Sequence, residues 1–308
     1  MNPETIFQTN PPLIFQEWNR PEFSKARIQV TVLRADLIHP WVQGNKWYKL
    51  KPFLEKAAMD NRDGFISMGG PYSNHLIALA FAASELKQKA YFFIRGEEHE
   101  WKENPAVLKM KEWGAVLLPV SRTAYREMHQ KSENENTQMA VTENKVWVPL
   151  GGSSPVSIRS VADWARQISD EAMFDTVILP AASAGTVSGF SAGLKKDTRL
   201  LAVEVLKSNG GLKVESDWLL RASGFRSSVP IEWIDMYHEG GYARTSDRLK
   251  SFCREVLDER KFPVEPIYSG KAFFAVSDLA GKGYFKEESR ILLIHTGGIF
   301  PWNSALLG

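Results

Sequence analysis

A single cysteine, Cys253, stands in 308 residues, so the chain can build neither an internal disulfide nor a thiolate metal cluster. An excess of one charge is also missing. Against 36 acidic side chains stand 38 basic ones, a net +2, too little for the phosphate-attracting field of a nucleic-acid binder. No stretch approaches the ~20 consecutive apolar residues that span a bilayer. The opening twenty residues scatter Pro3, Glu4, Asn10, Pro11, Pro12 and Glu17 among apolar side chains and hold no secretory core. A reducing, cytoplasmic setting is therefore expected, with neither membrane nor nucleic acid as partner. The histidines form no His-Glu-x-x-His pair, and there is no Gly-x-Ser-x-Gly elbow and no Walker sequence. Fixed-period repeats are absent too, which sets aside solenoids and propellers. Chemistry on a small molecule remains.

What is present alternates between two periods. Ile28 to Leu33 reads as a β-branched strand, and beyond Lys46 the apolar residues Trp47, Leu50, Leu54, Ala57 and Ala58 recur at helical spacing. Pro52 suits that helix only near its first turn. Strands are predicted over Phe65–Met68, Ala90–Ile94 and Ala115–Val120, with helices near Ser73–Leu86 and Pro105–Trp113. The polar run Lys131–Lys145 reads as a solvated connection, and Val146–Leu150 resumes a strand. Further strands are expected at Thr176–Leu179, Leu200–Val205 and Ile291–His295, with helices around Thr186–Leu194, Trp218–Ala222, Ser246–Leu257 and Lys271–Ala280. This is α/β logic: two lobes with mostly parallel sheets, facing a cleft.

Three glycine-bearing turns follow predicted strands, where main-chain N–H groups converge on anions. The first, Gly69-Gly70-Pro71-Tyr72-Ser73-Asn74-His75, could cap a helix or meet a carboxylate. The second, Ala182-Ser183-Ala184-Gly185-Thr186, would admit a phosphate or serve tight packing alone. The third is His295-Thr296-Gly297-Gly298, which could aim Thr296 at a ligand or merely turn the chain. Lys46 follows Gly44-Asn45 at an element boundary. Most lysines are solvated, but a desolvated one is an amine nucleophile for carbonyls.

These turns occur in one chain and in a fixed order with Gly241-Tyr242 and Tyr268-Ser269-Gly270-Lys271. The combination resembles the fold-type-II pyridoxal-phosphate enzymes, specifically the branch of 1-aminocyclopropane-1-carboxylate deaminase and D-cysteine desulfhydrase. The resemblance implies a tryptophan synthase β-subunit-like α/β fold of two open, mostly parallel twisted sheets flanked by helices. It places pyridoxal 5'-phosphate in a cleft between a large domain, 1–50 with 151–308, and a small inserted domain, 51–150, in a homodimer. Lys46 would carry the cofactor as a Schiff base and later shuttle protons. Ser73, Asn74 and His75 would bind the substrate carboxylate, with Asn74 also on the cofactor's phenolic oxygen. Ser183, Ala184, Gly185 and Thr186 would hold the phosphate. Tyr242 and Tyr268 would line the site, and Ser269 and Thr296 would stand near the cofactor ring.

Two of these positions divide the branch. In the deaminase pattern a glutamate follows the active-site tyrosine and a leucine precedes the final Gly-Gly; here they are Ser269 and Thr296, as in the desulfhydrase pattern. Hydroxyls leave the ring nitrogen essentially neutral, which suits loss of a β leaving group better than opening of an unactivated cyclopropane. The expectation is α,β-elimination on a small amino acid, D-cysteine first, with the deaminase reaction as alternative. A non-catalytic ligand-binding protein is another alternative, as is a dinucleotide oxidoreductase using Glu204 on a ribose. Gln43, Tyr72 and Ala182 depart from the family pattern, which has glycine, glutamine and glycine there.

Overall fold

The structure is a computed structural model that describes residues 10–132, 144–241, 243–260 and 263–302. The chain forms two compact units, one containing Lys46–Ser157 and the other Pro11–Asn45 with Ile158–Gly308. The polar run at 131–145 lies mostly outside the described residues.

The chain enters through β1 (Phe15–Glu17), α1 (Pro21–Lys25) and β2 (Gln29–Leu33). It then builds α2 (Asn45–Met59), β3 (Gly64–Gly69), α3 (Asn74–Glu85), β4 (Lys89–Arg95), α4 (Glu98–Trp101), α5 (Pro105–Glu112), β5 (Val116–Val120), α6 (Arg122–Ser132) and β6 (Lys145–Trp147). A long helix, α7 (Pro155–Glu171), precedes β7 (Thr176–Ala181), α8 (Ala184–Gly193), β8 (Arg199–Glu204), α9 (Gly211–Ala222) and β9 (Ile231–Ile234). The chain continues through α10 (Asp247–Arg260), α11 (Ser269–Gly281) and β10 (Arg290–Ile294). No helix among the described residues is long and apolar enough to cross a membrane.

The Lys46–Ser157 unit holds a four-stranded parallel sheet, ordered β5-β4-β3-β6, with Phe65 opposite both Ala90 and Val146. β3 is buried throughout, as the apolar run Phe65-Ile66-Ser67-Met68 demands of a central parallel strand. Pro119 is tolerated because β5 lies at the edge, where a missing N–H breaks no inner ladder. The other unit holds a six-stranded mixed sheet, ordered β1-β2-β10-β7-β8-β9, in which only β1 runs antiparallel. Its core gathers Trp18, Phe23 and Phe273, with the Trp18 and Phe23 rings edge to face at 4.9 Å.

The alternating architecture and two largely parallel sheets agree with the sequence reading, while several elements do not appear in it. α7 is one: Ile158, Val161, Ala162, Ala165 and Ile168 are all buried at helical spacing. Pro52 also departs from expectation. It sits eight residues into α2, so the Tyr48 carbonyl loses its helical donor, a cost of about 3 kcal/mol. Burial of Leu50, Phe53, Leu54 and Ala57 offsets it.

Candidate active site

In the six-stranded sheet β2, β10 and β7 are neighbours, so the segments leaving their carboxyl ends lie side by side. Ligands of open α/β sheets collect at that end. Asn45 follows β2, Thr296 follows β10 and Ser183 follows β7. The Asn45 amide donates to the Thr186 hydroxyl at 2.8 Å, tying the start of α2 to the first turn of α8. Ser183 is the N-cap residue of α8, yet its hydroxyl does not cap that helix. The turn therefore presents small side chains and helix-terminal N–H groups, the chemistry of an anion site. Ala182, where the family has glycine, is not among the positive-φ residues, so the substitution brings no backbone strain.

Thr296 is half-buried and held from both sides. His295, fully buried, lies 2.8 Å from the Pro263 carbonyl through Nε2, and its Nδ1 accepts from the Gly297 N–H at 3.2 Å. Burial would raise the Asp36 carboxyl, but His295 and a two-pronged bond from Arg34, at 2.9 and 2.7 Å, bring it below its ordinary value.

Tyr268 and Ser269 open α11, organised by a residue the sequence reading did not single out. Glu265 accepts the N–H groups of Ile267 at 2.7 Å, Tyr268 at 2.9 Å and Ser269 at 2.6 Å, together with the Ser269 hydroxyl. Burial nevertheless pushes its carboxyl up to about 7. An acidic residue just ahead of a helix start was the available signal. Lys271, also buried, donates to the carbonyls of Val205, His238 and Gly241 at 3.0, 3.0 and 3.2 Å, and burial brings its amine down to about 8. It thus fastens the segment leading to Tyr242, a residue outside those described. Glu204, the oxidoreductase candidate, is buried and accepts the Ser208 hydroxyl.

In the other unit, Lys46 is the second residue of α2. Its side chain keeps some solvent access, while desolvation lowers its ammonium to about 8, so a substantial neutral fraction exists near physiological pH. One turn on, Lys49 is fully buried and donates to Ser153 at 2.7 Å. Ser73 caps α3, its hydroxyl accepting from the Leu76 N–H at 3.4 Å. Asn74 and Tyr72 are half-buried beside it.

His75 turns its ring inward. Ser67 gives its hydroxyl proton to the Val148 carbonyl at 2.7 Å, so His75 Nε2, 2.8 Å away, must be the donor to Ser67. Burial and the charges of Lys46 and Lys49 keep the imidazole well below its ordinary pKa, hence neutral. What His75 offers an anion is its main-chain N–H in the first turn of α3.

A family model described as "Pyridoxal-phosphate dependent enzyme" matches residues 21–297. The Pyrococcus horikoshii protein named "Putative 1-aminocyclopropane-1-carboxylate deaminase" is 31% identical over 282 residues, covering 88% of this chain and 84% of that protein. The Arabidopsis thaliana "Bifunctional D-cysteine desulfhydrase/1-aminocyclopropane-1-carboxylate deaminase, mitochondrial" is 24% identical over 313 residues, covering 94% of this chain and 76% of that protein. A solved structure of "the ACC deaminase homologue" superposes with a TM-score of 0.81 at 25% identity, covering 99% of this chain and 98% of the other.

Proposed function

The chain belongs to the pyridoxal-phosphate dependent enzymes, in the branch of 1-aminocyclopropane-1-carboxylate deaminases and D-cysteine desulfhydrases, and from that premise we propose that it catalyses α,β-elimination on D-cysteine. One water is taken up, and pyruvate, ammonia and sulfide leave. Pyridoxal phosphate supplies an aldehyde for an amine, an anionic phosphate, and a ring that accepts the electron pair left at Cα. The residues suit each part. Lys46 has an amine lowered to about 8, the α8 N-terminus is built of small residues, and Thr296 offers a hydroxyl.

In this reading Lys46 would hold the cofactor's aldehyde and would serve as the base for the substrate's α proton. The Ser73 hydroxyl and the N–H groups of Asn74 and His75 bind the substrate carboxylate, while Asn74 holds the phenolic oxygen. Ser183 to Thr186 hold the phosphate, and Tyr242 and Tyr268 line the site. Ser269 directs its proton to Glu265, which leaves Thr296 as the hydroxyl for the ring nitrogen.

The observation that carries elimination over ring opening is the pair Ser269 and Thr296. No carboxylate stands at either position, and the nearby Glu265 already accepts several donors at the start of α11. The second reading, deamination of 1-aminocyclopropane-1-carboxylate to 2-oxobutanoate, draws on the names of the relatives. Keto-acid release by the purified holoenzyme decides between them. Pyruvate from D-cysteine should exceed 2-oxobutanoate from the cyclopropane substrate by at least about tenfold in kcat/KM; the reverse ratio would overturn the assignment.

A further inference from the structure

Gln43 stands where the family pattern has glycine, and its side chain has work that glycine could not do. It is 6% exposed, and its amide satisfies main-chain groups on two segments. Nε2 donates to the Pro40 carbonyl at 2.9 Å and to the Ile299 carbonyl; Oε1 accepts the N–H groups of Gly298 and Ile299, both at 2.8 Å. Two donors and two acceptors are the full capacity of an amide, and carbonyls on one side with N–H groups on the other set its orientation. The neighbouring residues reinforce the link. Gly44 lies against the Thr296 carbonyl, and Asn45 reaches Thr186. Three consecutive residues therefore tie the start of α2 to the turns after β10 and β7.

We propose that Gln43 is a positioning residue, which fixes where the Thr296 hydroxyl stands relative to the segment leading into Lys46. The inference rests on the reading that Lys46 and Thr296 serve one cofactor. Replacing the amide by an apolar side chain of similar length removes the Gln43 bonds to the Gly298 and Ile299 N–H groups and to the Pro40 carbonyl, and frees the turn to shift. Gln43→Glu keeps both acceptors and loses both donors, so it should recover part of the effect.

The test uses holoenzyme of the wild type, Gln43→Met and Gln43→Glu. Amide hydrogen exchange at 298 and 299, the pyridoxal-phosphate dissociation constant, kcat, KM and the melting temperature are measured for each. For Gln43→Met we expect faster exchange at both amides, weaker cofactor retention, and a fall in kcat of about 100-fold with KM changed less than about threefold. Gln43→Glu should fall between the two. Wild-type exchange and kcat in Gln43→Met would overturn the proposal, as would a loss of kcat fully regained at a temperature where the variant is as stable as the wild type. Wild-type protein that takes up no pyridoxal phosphate would instead sink the underlying functional reading, while the exchange rates still report whether the amide holds the turn.

Discussion

Ser269 places its hydroxyl 3.0 Å from a carboxylate oxygen of Glu265, and the same carboxylate accepts the Ser269 N–H at 2.6 Å. A buried acid thus sets the first turn of the helix that carries Tyr268, and it also decides where the Ser269 proton points. This residue pair makes the Ser269 side chain part of a helix cap before it is anything else.

The cap should make stability depend on pH. Burial raises the Glu265 carboxyl in the folded protein from 4.5 to about 7, so between those values the folded state binds the proton and the unfolded state does not. Stability therefore falls as pH rises through this window, by about 3 kcal/mol in total for this one group. Urea unfolding of wild type and Glu265→Gln between pH 4.5 and 7.5 should show a shallower decline in the variant. Parallel curves would exclude the assignment.

Lys46 is expected to capture pyridoxal phosphate with its own pH profile. Only the neutral amine attacks a carbonyl, and desolvation centres its titration near 8 rather than 10.5. The rate of covalent capture by apoprotein should climb as pH rises toward about 8 and level off above it. An ordinary lysine would still be accelerating at pH 9.5. Borohydride trapping followed by peptide mapping should locate the label on Lys46, and Lys46→Ala should abolish both label and turnover.

Much of this arrangement was legible in the sequence, and the exceptions share a cause. Strands such as Phe65–Met68 and helices such as Asn74–Glu85 announce themselves through local periodicity and a capping serine. Lys46, Ser73, Ser183 and Thr296 were singled out by motif order. Glu265 left a local signal, an acid just ahead of a helix start, but the role of Lys271 did not, because it bonds Val205, 66 residues away. The bond of the His75 ring to Ser67 was not legible, because nothing local in the sequence shows it. Pro52 was misplaced because propensity weighs a missing N–H, whereas the fold weighs the apolar face that α2 buries.

The two positions that divide the branch should not tolerate exchange equally. Thr296 is half-buried, and Thr296→Leu should fold normally while lowering elimination about tenfold, the loss of one hydrogen bond. Ser269 is fully buried against Glu265, so Ser269→Glu would crowd two carboxylates together and destabilise by more than about 3 kcal/mol. Adding Glu265→Gln should recover most of that loss. Melting curves of the single and double variants test this; equal stability of Ser269→Glu and wild type would contradict it.

Lys271→Met should loosen a specific stretch of chain. The ammonium holds the carbonyls of His238 and Gly241 to that of Val205; removing it takes a donor from each, although His238 and Gly241 keep main-chain donors in Gly241 and Arg244, a loss of about 2 kcal/mol. Limited trypsin digestion should cut faster after the exposed Arg244 in the variant, well before general unfolding. Unchanged cleavage at that bond would show that the segment is held by other means.

Gly44 provides the sharpest test of how closely the segment preceding Lys46 is packed. Its φ is +56°, and an added Cβ would lie 2.0 Å from the Thr296 carbonyl oxygen, a main-chain atom that cannot rotate aside. Gly210 is the control: its φ is +84°, but a Cβ there would meet nothing within 4 Å. Gly210→Ala therefore reports left-handed strain alone, about 1 kcal/mol. Gly44→Ala adds a backbone collision and should cost about 4 kcal/mol or more, with loss of cofactor retention because the turn bearing Thr296 has to move. Urea unfolding of both apoproteins measures the difference. Similar losses in the two variants would mean that the segment and the turn can part without penalty, and that their contact does not set the position of Thr296.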